Sequence, residues 1–152
     1  TNAILQLSGI LRYVIYDVKT DKIPIEKEIT LIQNYIEFEK NRHIKGSKIS
    51  FDFKIENNLD IYPMLLLPLL ENSFKHGLKS GIKNPFIDIQ LIIKNKKLHF
   101  TIINNFKEIT TNDNGIGLEN IQKNLILIYP EKHQFSIEKK KELFTTNLTI
   151  DL

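Results

Sequence analysis

Leu69-Leu70-Glu71-Asn72-Ser73-Phe74-Lys75-His76-Gly77, answered later in the chain by Asn114-Gly115-Ile116-Gly117-Leu118-Glu119-Asn120, decides how this sequence folds. The first stretch has the spacing of a helix that is apolar on one side and polar on the other. On such a helix Asn72 stands four residues from His76 and three from Lys75, so all three project toward one cleft. The second stretch is a glycine turn opening into a helix, where Asp113 or Asn114 caps the first turn and free N–H groups meet the positive end of the helix dipole.

The residue types suit a metal-nucleotide. A carboxamide at Asn72 can complete the octahedral shell of Mg2+ without placing another negative charge beside phosphates, and Lys75 can neutralise phosphate charge. Gly115 and Gly117 allow backbone to approach those phosphates. Each motif alone is weak, because polar helix faces and Gly-x-Gly turns are common. In this order, with strand-like sequence between them, they point to an ATP site, and they must then face each other across one cleft.

Around these motifs the periodicity alternates between helix and strand. Ile4 to Asp17 and Ile25 to His43 read as amphipathic helices joined by a polar break at Lys19 to Pro24, an antiparallel hairpin that must dock on the rest of the chain or on a second copy. At Lys45-Gly46-Ser47 the texture changes, which places a domain boundary between residues 1–45 and 46–152. Ile49, Phe51, Phe53 and Ile55 alternate as a strand, and a helix follows from Met64 to Leu78. Strands are expected at Phe86 to Ile93 and from Leu98 to Asn104-Asn105, then a helix from Leu118 to Tyr129, and a closing hairpin at Gln134 to Glu138 and Leu143 to Leu152. The order β, α, β, β, α, β, β suits an α+β sandwich, a single sheet with helices on one face.

Composition excludes several alternatives. Lys and Arg exceed Asp and Glu by 21 − 18 = 3, too little to argue for nucleic acid, and Lys139-Lys140-Lys141 between Glu138 and Glu142 reads as a solvated turn. No cysteine is present, so disulfides and thiolate metal sites are out. No apolar run approaches the roughly 20 residues that span a bilayer. The helical pattern is already running at Ile4, as expected of a fragment cut from something longer.

Four blocks in the right order resemble the LytS/YehU-like sensor histidine kinases: Leu7-Ser8-Gly9-Ile10-Leu11-Arg12-Tyr13, Ile25-Glu26-Lys27-Glu28-Ile29 through Arg42, the N-box from Ile61 to Gly77, and Gly115-Ile116-Gly117-Leu118-Glu119-Asn120-Ile121. The resemblance implies a Bergerat (histidine kinase-type) ATP-binding α/β sandwich preceded by a helical hairpin. It implies ATP and Mg2+ as ligands, with Asn72 on the metal and Lys75, His76, Gly77, Asn104, Gly115, Gly117 and Leu118 around the nucleotide. It also implies transfer of the γ-phosphoryl to a histidine upstream of this chain and thence to a response regulator of LytTR type. The parent would be a homodimer, with a cytoplasmic catalytic part and membrane segments elsewhere, in a bacterial inner membrane. The remaining histidines, His43, His99 and His133, read as ordinary surface or core-edge residues.

Several positions depart from the family pattern. Asn104 replaces the aspartate that reads adenine, which keeps an acceptor and loses its charge. Asn124 stands where an arginine is usual, and Thr145-Thr146-Asn147 where Gly-Thr is usual. ATPases of the wider fold carry a water-activating acid four residues before the metal-binding asparagine, where this chain has Pro68. Glu71, about 100° around the helix from Asn72, does not inherit that role and is the candidate catalytic residue that polarises an incoming histidine, or else forms an i,i+4 pair with Lys75. The rival readings are a degenerate module that serves dimerisation and regulator docking, and a free-standing ATPase of the same fold.

Overall fold

The computed structural model describes residues 22–42, 46–78, 81–107 and 116–152. The expected first helix, His43 and the loop through Gly115 lie outside the described residues.

Strand β1 (Ile23–Pro24) runs directly into helix α1 (Ile25–Arg42). Then come β2 (Lys48–Ile55), β3 (Asp60–Ile61) and α2 (Leu67–Gly77). Strands β4 (Phe86–Lys94) and β5 (Lys97–Asn105), helix α3 (Ile116–Ile128), and strands β6 (His133–Lys140) and β7 (Leu143–Asp151) complete the order. Five strands form one mixed sheet in the order β2-β4-β5-β7-β6. Only β2 runs parallel to its neighbour, β4, as a crossover carrying a helix requires.

Alternation along each strand decides which face meets the helices. Ile87, Ile89, Leu91 and Ile93 of β4, Leu98, Phe100 and Ile102 of β5, and Leu148 and Ile150 of β7 are buried beneath α2 and α3. The expected one-faced sandwich is therefore observed. β1 and β3 add a small antiparallel ribbon, Ile23 opposite Ile61, which periodicity did not foreshadow because two residues carry no alternation. Ile25 N–H donates to the Leu59 carbonyl at 2.9 Å. Those links dock α1 on the rest of the chain, and its buried Ile29, Leu31, Ile32 and Ile36 join the cluster that holds the sheet and α2.

α2 starts three residues later than the pattern suggests. Met64 adopts φ 60°, and Pro68 occupies the first turn, where its missing N–H costs no helical bond. The turn is held from outside: Met64 N–H donates to Glu28 Oε1 at 2.9 Å.

Candidate functional site

α2 turns Leu67, Leu69, Leu70, Ser73, Phe74 and Gly77 into the core, which leaves Glu71, Asn72, Lys75 and His76 on the opposite side. These four and Pro68 form one wall of a cleft of about 400 Å3. The facing wall is the start of α3, with Gly117, Leu118 and Ile121. Phe144 of β7 and Lys139 of β6 line it from the sheet. The first motif and the described part of the second, Gly117 and Leu118, thus line one cleft.

Gly117 needs no glycine on packing grounds, since no atom lies within 4 Å of the place where a Cβ would stand. Its missing side chain leaves room in the cleft. Gly77 is the reverse case. A Cβ there would come within 3.1 Å of Asn104 Cβ and 3.2 Å of its Nδ2, so α2 and the end of β5 approach closely only because residue 77 is glycine. Of the nominated residues, Glu71, Asn72, Lys75, His76, Gly117 and Leu118 share the cleft, Gly77 and Asn104 meet each other behind it, and Gly115 lies outside the described residues.

Asn104 is fully buried. Its Nδ2 donates to the Asn105 carbonyl at 3.1 Å, while Oδ1 has no partner among the described residues. A buried acceptor left open costs roughly 1–3 kcal/mol, which marks the position although Asn104 does not line the cleft. Ser73 Oγ and Thr146 Oγ1 are likewise buried without partners. Thr146 lies opposite Ile102, two residues from Asn104 on the same sheet face. The sequence marks Thr146 only as a departure from the usual Gly-Thr and nominates neither hydroxyl for the site, although each interrupts an otherwise apolar inward series. Asn105, by contrast, is saturated: it accepts from Phe86 N–H at 3.0 Å and donates to the Asn84 carbonyl at 3.1 Å.

Charge at the cleft is uneven. Glu71 is its one carboxylate among the described lining residues, and partial burial followed by the nearby Glu39 carboxylate raises its proton affinity above the ordinary range. Glu39 is itself buried on α1 and bonds Arg42 at 3.2 Å. Asn124, at the position where the family has arginine, is exposed on α3 and does not line the cleft. Lys139, expected in a solvated turn, lines it instead. Among the described residues no helix is long and apolar enough to cross a membrane.

A family model described as histidine kinase matches residues 1–46. The chain is 26% identical over 154 residues to the sensor protein LytS of Oceanobacillus iheyensis, covering 89% of this chain and 26% of that protein. It therefore spans about a quarter of the length of the curated relatives it matches. Among solved structures, the histidine kinase domain of the blue-light activated histidine kinase EL346 of Erythrobacter litoralis aligns with TM-score 0.66 at 13% identity, covering 99% of this chain and 73% of that one. The histidine kinase ThkA, in complex with the response regulator protein TrrA, aligns with TM-score 0.53 at 15% identity, covering 98% of this chain and 48% of that one. The resemblance to LytS-like sensor histidine kinases thus runs over most of the chain, and the fold is that of histidine kinase catalytic domains.

Proposed function

We propose that this chain is the ATP-binding catalytic part of a two-component sensor histidine kinase, moving the γ-phosphoryl of ATP to a histidine outside these 152 residues and onward to a response regulator. The observation that carries the reading is the cleft itself, with Asn72 and Lys75 on α2 facing Gly117 and Leu118 at the start of α3. The buried, open acceptor of Asn104 fits an adenine amino group, and the neutral Asn72 fits a metal already surrounded by phosphate oxygens. Asn72 would hold Mg2+, which supplies positive charge to the β- and γ-phosphate oxygens.

In this reading Lys75 and the α3 N-terminus bind the triphosphate, and His76 adds a hydrogen-bonding group. The imidazole nitrogen of the acceptor attacks the γ-phosphorus while the bond to the bridging oxygen breaks and ADP leaves. Glu71, with its raised proton affinity, takes the imidazole proton. With Pro68 in place of an acid four residues before Asn72, the position from which such ATPases activate water is empty of a carboxylate, which favours transfer to a side chain over hydrolysis. The response regulator belongs to this proposal with support from the ThkA–TrrA complex, and the homodimer and membrane-anchored parent belong to it as what the family resemblance implies.

A second reading is favoured by the amide at Asn104: a degenerate module with weak nucleotide affinity that serves dimerisation and regulator docking. Titrating Mg-ATP against the melting temperature separates them, because a ligand bound by the native state alone must raise it. The kinase reading expects a rise that Asn72→Ala abolishes in its magnesium-dependent part. It also expects labelled phosphate from ATP on a separately supplied segment bearing the parent's acceptor histidine. No rise at millimolar Mg-ATP would leave the degenerate module, and phosphate release without an acceptor would favour a free-standing ATPase.

A further inference from the structure

Strand β6 alternates half-buried and exposed through Phe135 and Ile137, and Lys139, itself exposed, keeps their parity. Their partners across the ladder, Leu148, Thr146 and Phe144, are all buried on the helix-covered face. Lys139 therefore starts toward the core and ends in the cleft, unlike Lys140, which alternation sends to the other side. Its ammonium lies 5.8 Å from the centre of the Phe144 ring, so the stem lies alongside an aromatic wall while the head stays in the cavity. Among the described residues it makes no ion pair.

A second lysine, Lys75, enters the same cavity from α2. With Glu71 the one carboxylate among the described lining residues, the two lysines and the N-terminus of the 13-residue helix α3 give the cleft a positive excess that suits a polyanion. We infer that Lys139 is a nucleotide-binding residue which grips the polyphosphate from the sheet side, opposite Lys75. The inference rests on the nucleotide reading of the cleft and adds the residue that supplies a cation where Asn124 supplies none.

A phosphate ligand has a recognisable signature: its loss must scale with the number of phosphates. Calorimetric titration of the 152-residue chain with Mg-ATP, Mg-ADP and adenosine tests this in wild type, Lys139→Met, Lys139→Arg and Lys140→Met. Lys139→Met is expected to weaken ATP about tenfold and ADP about threefold while leaving adenosine unchanged, as the loss of one charge-assisted contact to phosphate implies. The same variant should show a shallower dependence of ATP affinity on salt. Lys139→Arg and Lys140→Met should bind as wild type does, and Lys139→Arg guards against a mere packing defect. Unchanged ATP affinity in Lys139→Met, or an equal loss for adenosine and ATP, overturns the assignment. A wild-type chain that binds none of the three ligands removes the nucleotide reading itself and this residue's role with it.

Discussion

Asn104 and Gly77 are read together, because the absent Cβ of one makes room for the amide of the other. An aspartate at 104 would be buried facing the Asn105 carbonyl, which now accepts from the amide nitrogen, so in the empty chain Asn104→Asp should cost about 1–3 kcal/mol. With Mg-ATP the same carboxylate accepts from adenine with charge assistance, so the ligand-induced rise in melting temperature should exceed that of wild type. Equal rises in the two proteins would show that residue 104 does not meet the base. Gly77→Ala gains roughly 1 kcal/mol of helix propensity and loses a comparable amount by crowding Asn104. Its melting temperature should therefore move little while ATP affinity falls at least about tenfold, a split that calorimetry beside thermal melting would detect. At this scale the polar residues of α2 were legible from helical spacing alone. Lys139 was not, because a run of three lysines hides which of them shares the inward parity of Phe135 and Ile137.

Elements with enough residues to show a period were legible to within a few positions, as α3, β4, β5, β6 and β7 illustrate. What escaped is the joint between α1 and α2. Glu28 lies in the first turn of α1, where an acid suits the helix dipole, yet it is buried and receives the N–H of Met64, whose φ of 60° opens the turn before α2. No local pattern announces a contact between residues so far apart in the chain. Burial lifts the Glu28 carboxyl from 4.5 to about 7, against the weaker opposing effect of the Met64 N–H, and the Tyr129 hydroxyl is within its electrostatic reach. Between those two values the native state binds more protons than the unfolded chain, so this group's contribution is full below pH 4.5 and is lost as pH rises through about 7. Linkage sets that loss at roughly 3 kcal/mol. Glu28→Gln keeps an acceptor for Met64 and never ionises. Urea unfolding at pH 5 and pH 8 should show wild type losing more stability than the variant across the interval, with the variant the more stable of the two at pH 8. Parallel behaviour would mean that Glu28 is not proton-linked to folding.

For the molecule as a whole, the change of texture near Gly46 was plain in the sequence, and it suggests a hairpin followed by a catalytic domain. Packing joins what texture separates. Ile25, Leu31 and Ile32 of α1 are buried in the cluster that also holds Ile61, Leu66, Leu70 and the core of the sheet, and the β1–β3 ribbon ties the start of α1 to the turn before α2. Apolar residues at helical spacing announce that α1 has a buried face, but they cannot say what covers it, since a second copy and the sheet are equally apolar partners. The described α1 packs on the sheet side, and its Glu39 carboxylate lies within electrostatic reach of Glu71. If α1 and the sheet form one cooperative unit, Ile32→Ala should destabilise both together by about 2–4 kcal/mol, the ordinary cost of emptying a filled core position. For a chain of this size the melting temperature should fall by roughly 10 °C. Circular dichroism of the helices and tyrosine fluorescence would then report one shared transition, lowered as a unit, and Mg-ATP would raise it in the variant as in the wild type. Two separated transitions, with only the helical signal shifted by Ile32→Ala, would instead place an independent folding boundary near Gly46 and make α1 a detachable arm.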